Sequence, residues 1–386
     1  MVVMMLDHTR DFIHNATFQF DATDPARTNL ALYVSRWITH FCAPVFVFLA
    51  GTSAYLQFAR GKSKAQLSRF LVTRGLWLIL LEVTIVRLVI TFNFDYRFVG
   101  FLQVIWVIGV SMIVLAALIH LPLKAVAGLG LLMIAAHNLF DDNRVESWQG
   151  PESLVPSIGE KLWIMLHQQF EAFPVAGFPS PVVFVVYPLV PWIGVMAVGY
   201  VFGVLYQWDA QRRRRWLLII GGVATALFII IRAINEYGDP SKWEQQKNFV
   251  YTVLSFLNTS KYPPSLLFLL MTLGPSILAL AWFESRTPGG WLRQFFVTFG
   301  RVPLFFYVLQ WFTAHVISVV SHWAVGKPVA WLFRSPIDFG AVPPEAGFNL
   351  AVTWAAWIGG VLLLYPICKW FAGVKQRRRY WWLSYL

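Results

Sequence analysis

Apolar residues along this chain come in blocks of about 20, the length a helix needs to cross roughly 30 Å of hydrocarbon, and short polar connections part the blocks. Strict alternation of apolar and polar positions, the mark of a membrane barrel, is absent. The pattern predicts spans over 1–13, 33–58, 70–92, 98–120, 124–140, 181–206, 215–234, 263–283, 295–325 and 349–373. The expected fold class is therefore all-α, a polytopic integral membrane helix bundle of about ten transmembrane helices. Only Met1 to Leu6 precede Asp7, about 9 Å of helix, so the first helix reads as truncated, in a chain that starts too late. No hydrophilic linker or low-complexity tract sets off a second domain, and one integral domain over 1–386 is expected. A five-plus-five division with its break in 141–180 fits the block pattern, although no sequence repeat marks it.

Composition agrees with a bilayer as solvent: 58% hydrophobic, 17% aromatic and 13% charged residues leave too little polar surface for a water-soluble protein of this size. A net charge of +12 raises the question of nucleic acid, but the basic residues fall in short clusters at alternate connections rather than along one face. The clusters are Arg60 to Arg74, Lys124, Arg212 to Arg215, Arg286 with Arg293, and Lys369 to Arg379. They hold 17 of the 31 Lys and Arg, and the only acids on their side are Asp209 and Glu284. The positive-inside rule makes that side cytoplasmic, together with both termini, and sends the connections 14–32, 141–180, 235–262 and 326–348 outward. The expected location is the inner or plasma membrane, with the lipid bilayer as a partner and no nucleic acid.

Chemistry is expected where charge interrupts the apolar blocks, because an ionised group at mid-membrane costs about 2.5–3.5 kcal/mol and so faces a partner, the bundle interior or water. In MMLDHTRDF, helical spacing sets His8 and Asp11 on one face and Asp7, Arg10 and Asp11 on an overlapping one. Asp11 is then placed to orient the His8 ring. In RWITHFCAPVF, Pro44 cannot donate to the carbonyl of His40, which predicts a kink and a cavity beside the imidazole, with Arg36 one turn away. Glu82 and Arg87, five apart, read as structural groups with partners on neighbouring helices, and Gln103 is similar. In NTSKYPPS, Asn258, Lys261, Tyr262 and Ser265 stand at an outer helix entrance suited to a phosphate or carboxylate. Arg301 sits at a helix edge. For each of these the competing reading is a solvated helix end or a packing contact.

Cys42 and Cys368 lie inside apolar blocks with no metal or disulfide spacing. HExxH, P-loop and serine-elbow motifs are absent. His315 and His322 share one helix and do not supply two facing pairs for a bis-His haem, so neither metal nor haem is expected.

The stretches LDHTRDF at 6–12, RWITHFCAPVFVFLAGTSAYL at 36–56, LSFLNTSKYPPSL at 254–266 and FGRVPLFFY at 299–307 resemble the bacterial membrane proteins grouped with the heparan-alpha-glucosaminide N-acetyltransferase catalytic domain. The resemblance implies an acyltransferase that moves an acyl group, typically from acetyl-CoA, to an amine or hydroxyl of an extracytoplasmic carbohydrate. From the residues themselves, His8, oriented by Asp11, is the expected general base with His40 lining the same pocket, and Asp7, Arg10, Arg36, Gln103, Asn258, Lys261, Tyr262, Ser265 and Arg301 are expected to bind substrate or donor or stabilise charge. Three departures stand out. Relatives carry an Arg-containing leader and a complete first helix that are missing here. No histidine between His14 and His40 can take the role of the loop histidine considered catalytic in the lysosomal enzyme. Gln310 stands where many relatives have histidine. The competing function class is a transporter or channel for a small polar solute, which would use the intramembrane charges to hold a moving ligand.

Overall fold

The computed structural model describes residues 1–285, 289–338, 342–378 and 380–385. Mostly helical, it has seven helices among the described residues that are long and apolar enough to cross a membrane: Leu30–Ala59, Leu123–Phe140, Leu189–Gln207, Ala210–Ile234, Leu266–Glu284, Pro303–Ala324 and Leu350–Arg377. Large apolar side chains such as Ile229, Ile230, Leu362 and Leu363 project outward from two of these helices. Such surfaces are stable only against lipid or another apolar partner. The chain is a polytopic helical membrane protein.

Several boundaries differ from the block pattern, each for a local reason. The block 295–325 is two helices, Trp291–Arg301 and Pro303–Ala324, because Pro303 has no N–H to give and forces Val302 out of the helical region, to φ −131° and ψ 51°. The block 98–120 opens as a strand, β1 (Phe98–Leu102), before the 15-residue helix Val104–Leu118. With β2 (Glu171–Pro174) and β3 (Val182–Val185) this strand forms a sheet in the order β1-β3-β2, in which β2 and β3 are antiparallel and Glu171 lies opposite Val185. The expectation of a purely helical chain is corrected by this sheet. The disturbance predicted at Pro44 lies just before it, as the 3-10 turn Ile38–Phe41. Block 70–92 is a helix, Lys64–Leu81, followed by a π turn over Glu82–Val86 and a short helix Arg87–Thr91. The N-terminal helix, Val2–Ile13, has 12 residues.

The contacts divide the chain into two compact units, along lines other than a break in 141–180: residues 1–42, 84–98 and 288–386 form one, and 43–83 with 99–287 the other. In the first, the Val2–Ile13 helix packs against Pro303–Ala324 and Leu350–Arg377. Its end is tied to distant chain by the Phe348 amide donating to the Ile13 carbonyl (2.7 Å) and the Asn15 amide donating to the Phe348 carbonyl (2.9 Å). In the second unit, Ala210–Ile234 packs on Leu266–Glu284, and Lys64–Leu81 on Val104–Leu118. A close backbone approach there brings Gly51 against the Met196 carbonyl and Gly199 against the Phe48 carbonyl, and the Thr52 hydroxyl donates to Gly199 O at 3.0 Å. Small residues at such a crossing let backbones meet where apolar bulk would hold them apart.

Candidate functional site

Within the first unit, MMLDHTRDF lies on the Val2–Ile13 helix and its charges are mutually paired. Asp7, 7% exposed, accepts from the Arg36 guanidinium at 2.5 and 2.6 Å and from Arg10 at 3.2 Å. Arg10 also holds Asp11 at 2.6 Å, and the Thr17 hydroxyl donates to the Arg10 carbonyl at 3.0 Å. The carboxylate of Asp11 is thus engaged by Arg10, whereas the His8 ring lies flat on Trp311, with centroids 3.7 Å apart and planes at 17°. Tyr307 meets His8 edge-on at 6.2 Å. His40, 3% exposed, belongs to the 3-10 turn that packs against the same N-terminal helix. His8, Asp7, Arg10, Asp11, Arg36 and His40 therefore belong to one compact unit.

The aromatic bed of His8 was not legible in the sequence. Trp311 and Tyr307 are two of many aromatics, and nothing local ties them to residue 8. Between them, Gln310 is fully buried with neither amide atom hydrogen-bonded. On the same helix, His315 is stacked between Phe12 (4.7 Å) and Phe92 (3.8 Å), while both His322 nitrogens are used, Nδ1 donating to Ser318 O at 2.8 Å and Nε2 accepting from the Gly347 amide at 2.9 Å. His14, just past the N-terminal helix, accepts from the Ala16 amide at 3.1 Å, and burial, with Arg10 nearby, pushes its pKa down to about 4. Arg301 lines a separate cavity of about 520 Å³ in this unit, together with Arg293, Lys369, Gln294, Tyr365 and Gln376. Among the described residues, no acidic side chain lines it.

The remaining candidates lie in the second unit. Ser265 caps the Leu266–Glu284 helix by accepting from the Phe268 amide at 3.0 Å, and donates to Asp239 at 2.6 Å. Asn258 gives its carbonyl to Arg232, which also gathers the carbonyls of Phe256, Ser241 and Ser255. Tyr262 packs edge-on against Tyr187 at 5.1 Å, and Lys261, 7% exposed, has its ammonium 5.1 Å from the Tyr262 ring. Gln103 begins the Val104–Leu118 helix, whose Trp106 amide donates to the buried Glu82 carboxylate at 3.0 Å. Arg87, in the first unit, binds carbonyls of Asn93, Asp95 and Phe98, which follow its own short helix rather than belong to a neighbouring one. One cluster has no counterpart in the sequence reading: His137, Asp141 and His167 bring their donor atoms together.

Residues 4–233 match the family model described as "Heparan-alpha-glucosaminide N-acetyltransferase, catalytic". No curated protein matches the chain. The match takes in the paired charges of the N-terminal helix and the Arg36 segment, and ends inside the Ala210–Ile234 helix, so that the Lys261 and Arg301 stretches lie beyond it. With well over half of a polytopic helical chain matched, and the match opening on its buried ion network, the protein belongs to the heparan-alpha-glucosaminide N-acetyltransferase catalytic-domain family, a family of acetyltransferases.

Proposed function

We propose that the protein transfers an acyl group, acetyl above all, from acyl-CoA to an amine or hydroxyl of a sugar or glycoconjugate on the extracytoplasmic face of a cell membrane. The observation that carries this reading is the setting of His8, an imidazole on an indole face, on the helix where the family match begins and where Asp7, Arg10 and Asp11 pair with one another and with Arg36. His8 is the general base. It takes the proton of the acceptor nitrogen or oxygen as that atom attacks the thioester carbonyl; the new C–N or C–O bond forms, the C–S bond breaks, and the CoA thiolate leaves to be protonated. Asp7, Arg10 and Arg36 hold fixed charge around the ring, Asp11 anchors Arg10, and His40 lines the same unit. The buried Gln310 amide, with a donor and an acceptor unspent, suits the polarised carbonyl.

Among the described residues, Arg293, Arg301 and Lys369 give the 520 Å³ cavity three cations and no counter-charge, which suits the phosphates of CoA arriving from the basic, cytoplasmic side. Lys261 serves a carboxylate or phosphate of donor or acceptor, while Asn258, Tyr262, Ser265 and Gln103 shape the helix entrances around it. In this reading the whole chain is one integral domain with ten crossings and both ends in the cytoplasm.

The test is acyl transfer by the full chain in nanodiscs, from labelled acetyl-CoA to glucosamine-terminated acceptors. His8→Ala should lose about 10²- to 10⁴-fold in turnover with donor binding retained. Arg301→Gln should raise KM for acetyl-CoA more than it lowers kcat. A protein that binds no acyl-CoA and instead moves a polar solute across a proteoliposome would replace this reading with the transporter.

A further inference from the structure

None of His137, Asp141 and His167 has a part in the reaction above, and all three belong to the second unit. The helix Leu123–Ala136 ends in the 3-10 turn His137–Phe140, so His137 and Asp141 follow each other at i and i+4 and present their side chains on one side. His167 is the last residue of the helix Ile158–His167. The three donor atoms all lie within 4.8 Å of one another, with His167 Nε2 3.3 Å from Asp141 Oδ1.

Both imidazoles are buried, and Asp141 is partly exposed. His137 is 2% and His167 5% exposed. Neither ring nitrogen of His137 makes a hydrogen bond of normal geometry, although the Pro264 carbonyl faces the ring, and His167 Nε2 has the 3.3 Å contact with Asp141 but no hydrogen bond of normal geometry. Buried polar atoms left so carry a free-energy cost that a shared cation removes. The surroundings fix the third donor: Asn138 Nδ2 donates to Asp141 Oδ2 at 2.8 Å while Asn138 Oδ1 accepts from the Leu266 amide at 2.9 Å, which leaves Oδ1 toward His167. Trp163 and Phe140 flank His167, at 5.2 and 6.4 Å between ring centroids. Beside the cluster a polar cavity of about 50 Å³, lined by Asp141, His167, Gln168 and Glu171, has room for a water or two.

We infer that His137, Asp141 and His167 bind one divalent first-row transition metal, zinc being the best match, with water from the adjoining cavity as fourth ligand. Two imidazoles and one carboxylate are borderline donors that suit zinc, whereas magnesium and calcium select all-oxygen sets. Bond lengths of about 2.0–2.2 Å put the donors of a tetrahedral site roughly 3.3–3.6 Å apart, which the 3.3 Å pair already meets and the third reaches by a small side-chain closure. The Asn138 contact to Asp141 is the outer support that such a ligand normally has. Bound there, the ion cross-links the end of one membrane helix to the Ile158–His167 helix.

The experiment uses the full chain, purified through a tag without histidine, stripped with EDTA and dialysed. Zinc uptake is measured by mass spectrometry and by competition with a chromophoric chelator, on the monodisperse fraction only. The expected result is about one zinc per chain, with a rise in Tm that magnesium does not reproduce. His137→Ala and His167→Ala should abolish uptake. Asp141→Asn, which keeps the side chain's volume, should weaken it by at least about 10-fold without unfolding the protein. His120→Ala, at an exposed position, should leave the stoichiometry intact. Folded wild-type protein that takes up no zinc, or His137→Ala and His167→Ala variants that bind as the wild type does, would overturn the site.

Discussion

Asp7 is the residue on which the N-terminal charges converge, and it shows why some side chains were legible and others were not. An aspartate beside an apolar run demands a counter-charge, so Asp7, Arg10 and Arg36 stood out by cost alone, and they do pair. The Trp311 ring under His8 is apolar among apolar and carried no such signal; neither did the cluster of His137, Asp141 and His167, because no fixed spacing connects residue 141 to residue 167. Gln310 gives a prediction at this scale. Its two unpaired amide atoms cost stability, so Gln310→Leu should hold or raise Tm by thermal unfolding in detergent while lowering acyl transfer. Equal activity would make Gln310 a packing residue. His14 gives a second. Its folded pKa of about 4 lies below the ordinary imidazole value of 6.5, because burial and the nearby Arg10 disfavour the charged ring. Between these values the unfolded chain binds more protons, so the stability His14 contributes is fully present above about pH 6.5 and declines as the pH falls toward 4. The drop in Tm from pH 7.5 to 5 should shrink in His14→Gln; an unchanged drop would place the titration elsewhere.

Helices and their interruptions follow from a few residues each. Block length identified the long spans, since hydrocarbon thickness sets it, but not the break at Val302, whose cause, Pro303, was in plain view and was outweighed by the apolar residues around it. Strand β1 escaped for a different reason: an apolar run of five residues has no period that separates strand from helix. At the crossing of the Cys42–Ala59 and Leu189–Phe202 helices, a Cβ on Gly51 would run into the Met196 carbonyl, which is backbone and cannot turn aside. Gly51→Val should therefore destabilise the folded protein by about 1–3 kcal/mol, read as a fall in Tm, whereas Gly128→Val, where a Cβ meets nothing, should not. Similar losses from both would mean that the close approach is not what glycine serves at position 51.

For the whole molecule, the charge asymmetry of the connections makes a map of sides. In a background lacking Cys42 and Cys368, Glu152→Cys and Gln245→Cys should react with an impermeant thiol reagent in intact cells, and Arg214→Cys only after the membrane is opened. Any one of the three on the wrong side would break the map. The packing of Val2–Ile13 against Pro303–Ala324 and Leu350–Arg377 has a consequence for biogenesis. The Val2–Ile13 helix is made long before the two helices it packs against, and at about 5–20 residues per second Trp311 follows His8 by a delay on the order of tens of seconds. Over that interval Asp7 has Arg36, only 29 positions downstream, to neutralise it. The ion pair is then an early shelter that holds a charged segment in the nascent bundle until its aromatic bed is made, and a variant without Arg36 should be lost to quality control before it can be assayed.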